Sequence, residues 1–107
     1  MDIRVILMEP NKAPAVVTVE RSLGFMQKLV GGYIEYVFPN PVGLDVDFWA
    51  NEEGILLNLP FNRFVYEKPI VGPILVTGRE DEDGLTQSLT DEQIQRVLHK
   101  YDHLSVS

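Results

Sequence analysis

The apolar residues of this chain come in short runs, each closed by turn chemistry, and that rhythm limits the fold more than any single motif. Residues 3–8 are mostly β-branched or aliphatic, and Glu9-Pro10-Asn11-Lys12 ends them as a turn. A second run over 15–19 is close enough to pair with the first as a hairpin. A third, over 33–38, is closed by Pro39-Asn40-Pro41. Residues 44–49 alternate, which puts Leu44, Val46 and Phe48 on one face and Asp45, Asp47 and Trp49 on the other. Asn51-Glu52-Glu53-Gly54 reads as a turn with glycine last, returning into a strand over 55–57. Residues 59–65 read as compact and irregular, with one helical turn starting at Pro60. Residues 70–77 form a last strand, whose Gly72-Pro73 demands a bulge or an edge position.

Only two stretches carry helical spacing. After Ser22, a helix-capping residue, Leu23, Met26, Leu29 and Val30 recur every three or four positions, and Gly31-Gly32 ends the pattern. Near the end, Thr90 and Gln93 have the spacing of a capping box, followed by an apolar stripe of Ile94, Val97, Leu98 and Tyr101. The order strand, strand, helix, three strands, strand, helix predicts one α+β domain over 1–107. Its sheet is mostly antiparallel, of about five to six strands, with two helices packed on one face. An acidic loop over 79–88 and a frayed tail over 103–107 are expected around it.

Composition excludes several chemistries. With no cysteine there is no disulfide, zinc–thiolate site, iron–sulfur cluster or thiol nucleophile, which suits a reducing compartment. The net charge of −7, from 16 acidic and 9 basic residues, leaves few cations for phosphate backbones, so no nucleic-acid partner is expected. No apolar run approaches a membrane span, and the start of the chain lacks a signal-peptide pattern. A cytoplasmic protein is the expectation.

The polar constellations divide between ordinary and functional readings. Asn62-Arg63, between Phe61 and Phe64, offers a planar fork for phosphate or carboxylate; the ordinary reading is a salt bridge to Glu52, Glu53 or Glu67. Gly31-Gly32-Tyr33 offers close backbone approach beside an aromatic ring, or simply a helix cap that leads into a strand. Asn51 either closes its turn or binds a ligand, and Glu52 and Glu53 sit too wet for acid–base work. The candidate ligand-binding residues are therefore Arg63, Asn62, Asn51, Tyr33 and Glu52. Asp81, Asp83 and Gly84 fail the calcium-loop pattern, because Arg79 and Thr90 fall where acidic ligands belong. His99 and His103 have metal-sharing spacing but no third ligand beyond Asp102. No catalytic residue, metal or cofactor is assigned.

One ordered set of motifs resembles a known family. Glu9-Pro10 with Lys12 and Pro14, Val30-Gly31-Gly32-Tyr33-Ile34-Glu35, Asn51-Glu52-Glu53-Gly54, Leu59-Pro60 with Asn62-Arg63, Val71-Gly72 with Val76-Thr77-Gly78, and Leu89-Thr90 with Glu92-Gln93 succeed one another over roughly 3–101. Their order is similar to that of small proteins of phages and other mobile elements, catalogued as a domain of unknown function. Asn11, Phe61 and Pro73 depart from the family pattern. The resemblance implies an accessory protein in a host cell that acts by binding. Two occupants compete: a small anionic, nucleotide-like molecule of host defence, or a host or phage protein engaged through the acidic surface. A small enzyme is the remainder. Self-association as a dimer is expected from the Gly72-Pro73 edge and from Trp49, placed opposite Phe48 and expected to be exposed.

Overall fold

The computed structural model describes residues 1–37, 45–65 and 67–101. Its elements are β1 (Asp2–Met8), β2 (Ala15–Glu20), α1 (Leu23–Val30), β3 (Ile34–Tyr36), β4 (Val46–Asn51), β5 (Phe61–Val65), β6 (Lys68–Val71), β7 (Ile74–Gly78) and α2 (Asp91–Tyr101). Five strands form one sheet in the order β2-β1-β7-β4-β3, and β5 and β6 form a second, two-stranded sheet. Every pairing is antiparallel. The α+β class and the mostly antiparallel sheet are as the sequence predicts.

The helices are not on one face. Ile6, Met8, Val46, Phe48, Ala50, Ile74 and Val76 pack with Ile94, Val97 and Tyr101 of α2 and with Val65 and Ile70 of the small sheet. Ile3, Val5, Val19 and Leu75, from the opposite face, pack with Met26 and Val30 of α1. The reason lies in β7, where all five residues are buried. A strand apolar on both faces needs cover on both sides, so one helix goes to each. β7 is thus the centre of the sheet.

Residues 70–77, expected as one strand, split at Gly72. Its φ of 76° is left-handed, which favours glycine. A Cβ there would stand 2.7 Å from Leu59 Cδ1. The turn sends β6 to one sheet and β7 to the other. Residues 59–65 also differ: instead of a helical turn they supply β5, with a register shift between Phe61 and Arg63. The strand expected over 55–57 is a tight turn, because Asn51 Oδ1 accepts the Glu53 amide at 2.8 Å and turns the chain before a ladder can form.

Both helices begin as expected. Ser22 Oγ accepts the Phe25 amide at 3.1 Å, and Gly31 takes φ 83° at the C-terminus of α1. Thr90 Oγ1 accepts the Gln93 amide at 3.1 Å while Gln93 Oε1 accepts the Thr90 amide at 2.9 Å, the reciprocal cap. Among the described residues no helix is long and apolar enough to cross a membrane. Phe38, Pro39-Asn40-Pro41, Leu44, Asp102, His103 and the rest of the tail lie outside the described residues.

Candidate functional site

Arg63 and Asn62 are built into the scaffold. Arg63 is 4% exposed and Asn62 fully buried. Asn62 Nδ2 donates to the carbonyls of Met8 and Gly72, both at 2.8 Å, which ties β5 to β1 and to the crossover turn. Its Oδ1 accepts Arg63 Nε at 2.8 Å. The guanidinium then donates from Nη1 to the Tyr101 carbonyl at 3.1 Å and from Nη2 to the Lys12 carbonyl at 2.9 Å. Arg63 thereby staples the last residue of α2 and the β1–β2 turn to β5. Burial pushes its pKa below the ordinary guanidinium value, with the nearby Tyr101 opposing. Burial also pushes the Tyr101 phenol up to about 12, against the pull of the Arg63 charge.

Asn51, Tyr33 and Glu52 form a separate group at the C-terminal end of α1. Asn51 is buried; its Nδ2 donates to the Val30 carbonyl at 3.1 Å, which occupies one of the helix's unpaired carbonyls. The Glu52 amide donates to the Tyr33 carbonyl at 2.8 Å. Asn62 and Arg63 are thus tied to Met8, Gly72, Tyr101 and Lys12, whereas Asn51 and Glu52 are tied to Val30 and Tyr33.

The Asn51 group instead carries a projecting turn. Gly54 N donates to Asn51 O, Leu57 N to Glu53 O, Asn58 N to Ile55 O and Leu59 N to Gly54 O, at 2.8–3.1 Å. Gly54 is buried at the base, where a Cβ would come within 2.9 Å of Val71 Cγ2. From this fixed backbone Ile55, Leu56 and Leu57 project, 87%, 80% and 54% exposed. Reading 55–57 as a strand hid this feature, although three consecutive aliphatics right after a glycine turn are its sequence signal.

A groove crosses the α1 face of the sheet. One end, about 360 Å³, is lined by Arg21, Met26, Ile34, Trp49 and Leu85 among others. A neighbouring hollow shares Trp49 and Glu80 and adds Tyr36, Asp47 and Arg79. Trp49 is only partly exposed, not free as expected. Its Nε1 donates to Thr77 Oγ1 at 2.9 Å, and Tyr36 meets it edge-on with centroids 5.5 Å apart. Arg79 lies 3.6 Å from Asp45 and 4.0 Å from Asp47, whereas Arg21 has no carboxylate within salt-bridge distance among the described residues. The rim is the 79–88 loop, knit by Asp81, whose Oδ1 accepts the Asp83 and Leu85 amides. Neither hollow is lined by Arg63, Asn62 or Asn51.

The family model described as domain of unknown function DUF3846 matches residues 3–102. No match was found among curated proteins or among solved structures.

Proposed function

The chain belongs to the DUF3846 family of domains of unknown function, and from that premise we propose that it works by binding a protein partner through the turn over 52–58. The observation that carries this reading is the exposure of Ile55, Leu56 and Leu57 on a hydrogen-bonded turn. A run of exposed aliphatics is costly to keep in water and marks contact surfaces. Because the turn is already fixed, its ordering cost is met before the partner arrives, which favours affinity. Glu52 and Glu53 stand exposed beside it on a chain of net charge −7. The complementary surface is therefore an apolar cleft bordered by Lys or Arg. A host or phage protein bearing such a cleft fits the accessory role that the resemblance implies.

The test places a photocrosslinking amino acid at position 57, and separately at the exposed Lys100 as control, in the host cell. A discrete adduct from position 57 only, abolished by Leu56→Ser, supports the reading. Equal adducts from both positions, or an adduct indifferent to Leu56→Ser, refute it.

The groove favours a second reading, the capture of a small planar anion. Trp49, held by Thr77, offers a ring face or edge, and Arg21 offers a guanidinium beside Met26, Ile34 and Leu85. In this reading the anion-binding role expected of Arg63 passes to Arg21. Trp49 is the chain's single tryptophan, so quenching of its fluorescence by nucleoside monophosphates, lost in Arg21→Ala, is the direct check.

A further inference from the structure

The two edges of the five-stranded sheet are unequal. At one edge β3 has only three residues, and short edge strands are a usual defence against strand-to-strand association. At the other edge β2 runs six residues in unbroken register with β1, from Asp2↔Glu20 to Leu7↔Ala15. It carries no proline, lysine or bulge, and its only charge is the terminal Glu20. These are the devices that normally blunt an edge.

The hydrogen-bond parity shows which groups the edge presents. The Arg21 amide donates to Met1 O at 2.9 Å, so odd-numbered positions of β2 point their backbone groups at β1. On β1 itself, Arg4 points away from β2: its amide donates to Ser88 Oγ and its carbonyl accepts from Leu89. The even positions Val16, Thr18 and Glu20 therefore aim their amides outward. No described residue takes these N–H groups, while the Glu20 carbonyl already accepts the Ser22 amide at 3.0 Å.

We infer that β2 is a self-association edge, where two copies join antiparallel about a two-fold axis through Thr18 to make one continuous sheet. This register pairs outward-facing positions only: Thr18 with Thr18 of the second copy, and Val16 with its Glu20. Val17 falls opposite the second copy's Val19, so branched residues meet branched residues and Glu20 never faces its own equivalent. Charge permits the approach. The only charge on β2 is Glu20, which in this register faces the second copy's Val16, and Arg4 of the neighbouring β1 is already paired with Asp91 at 2.6 Å. An isologous strand pair closes on itself and leaves both copies' turns over 52–58 and their grooves available.

The absence of cysteine gives a register-specific test. In the full chain, Thr18→Cys places two thiols on the axis, within the reach of a disulfide. Mild oxidation is expected to convert most of it to a covalent dimer. Glu53→Cys, on the projecting turn, is expected to stay uncrosslinked. Sedimentation of the wild type at high micromolar concentration should give twice the 12.1 kDa of one chain. Thr18→Pro, which removes an outward amide and no bond to β1, and Val16→Lys should each return it to one chain while the circular dichroism spectrum is retained. A wild type that sediments as a monomer overturns the inference. So does a dimer that survives both variants but is lost in Leu56→Ser, which would assign self-association to the turn.

Discussion

Arg63 donates from Nη1 to the main-chain carbonyl of Tyr101 at 3.1 Å, a bond that spans 38 residues of sequence and joins β5 to the last residue of α2. With Lys12 and Asn62 it makes one arginine the common fastener of three segments. Removal strands buried acceptors as well as leaving a void. Arg63→Ala is therefore expected to cost about 2–4 kcal/mol of unfolding free energy, read by urea denaturation at neutral pH. Lysine should recover only part, since an ammonium cannot spread its donors over three acceptors set around a planar fork. An alanine variant with the wild-type midpoint would show that these bonds are not stapling the fold.

Tyr101 gives a pH signature. Its phenol is raised from 10.0 to about 12 by burial, so the folded state holds the proton more tightly than the unfolded chain. The linked stability is fully present below pH 10 and is lost as pH rises through about 12. The Tyr101 hydroxyl has no partner among the described residues. Tyr101→Phe is therefore expected to leave stability at pH 7 within about 1 kcal/mol of wild type. It should also flatten the decline between pH 10 and pH 12. Thermal melts at pH 8 and pH 11 for both proteins measure it; an identical decline in the variant would rule Tyr101 out as the source.

What the sequence disclosed follows from how local each signal was. The caps at Ser22 and Thr90 and the stripe of Ile94, Val97 and Tyr101 are set by neighbours within one or two helical turns, and the structure contains them as read. Gly72-Pro73 reads as a break, but whether a break is a bulge or a move to another sheet depends on where Leu59 packs, thirteen residues away. Arg63 stands out in the sequence between Asn62 and Phe64 as a candidate anion fork. Its role is not legible there, because the acceptors that join it to distant segments are main-chain carbonyls at Lys12 and Tyr101, and every residue type supplies those. The placement of α1 and α2 on opposite faces depends on β7 being central; its apolar run calls for cover on both sides, but the strand order that centres it is set by its pairings with β1 and β4.

Asn51 joins two elements through both ends of its amide: Nδ2 to the Val30 carbonyl and Oδ1 to the Glu53 amide. Asn51→Asp keeps the acceptor and loses the donor, and sets a carboxylate against the negative pole of α1. Asn51→Ala loses both bonds but adds no charge. Aspartate is expected to be the more harmful by about 1 kcal/mol or more at pH 7, with the difference shrinking as the carboxylate is protonated at low pH. Denaturant titration of the two variants at pH 7 and pH 3.5 decides it. An aspartate variant at least as stable as alanine at neutral pH would contradict the assigned amide orientation.

Gly78 ends β7 where the backbone of the following loop crosses it. Its amide donates to Gln87 O at 2.9 Å, and a Cβ at this position would stand 2.6 Å from that same oxygen and 2.9 Å from Ser88 O. No side-chain rotation relieves such contacts, because both obstacles are main-chain carbonyls. Either the loop over 79–88 lifts away or the end of β7 shifts. Lifting the loop disturbs two links to β1: the Arg4 amide to Ser88 Oγ at 2.8 Å and the Leu89 amide to Arg4 O at 2.9 Å. Gly78→Ala is therefore expected to destabilise by about 2 kcal/mol or more, in the range of an overpacked core site. Gly24→Ala is the contrast, since a Cβ at Gly24 meets nothing within 4 Å and α1 gains the better helix former. It is expected to be neutral or stabilising by up to about 1 kcal/mol. Hydrogen exchange locates the damage: in Gly78→Ala the amides of Arg4, Gly78 and Leu89 should lose protection ahead of those in α1. If all amides lose protection together, or if Gly78→Ala matches Gly24→Ala in stability, the close passage of the loop over β7 is not the constraint it is taken to be.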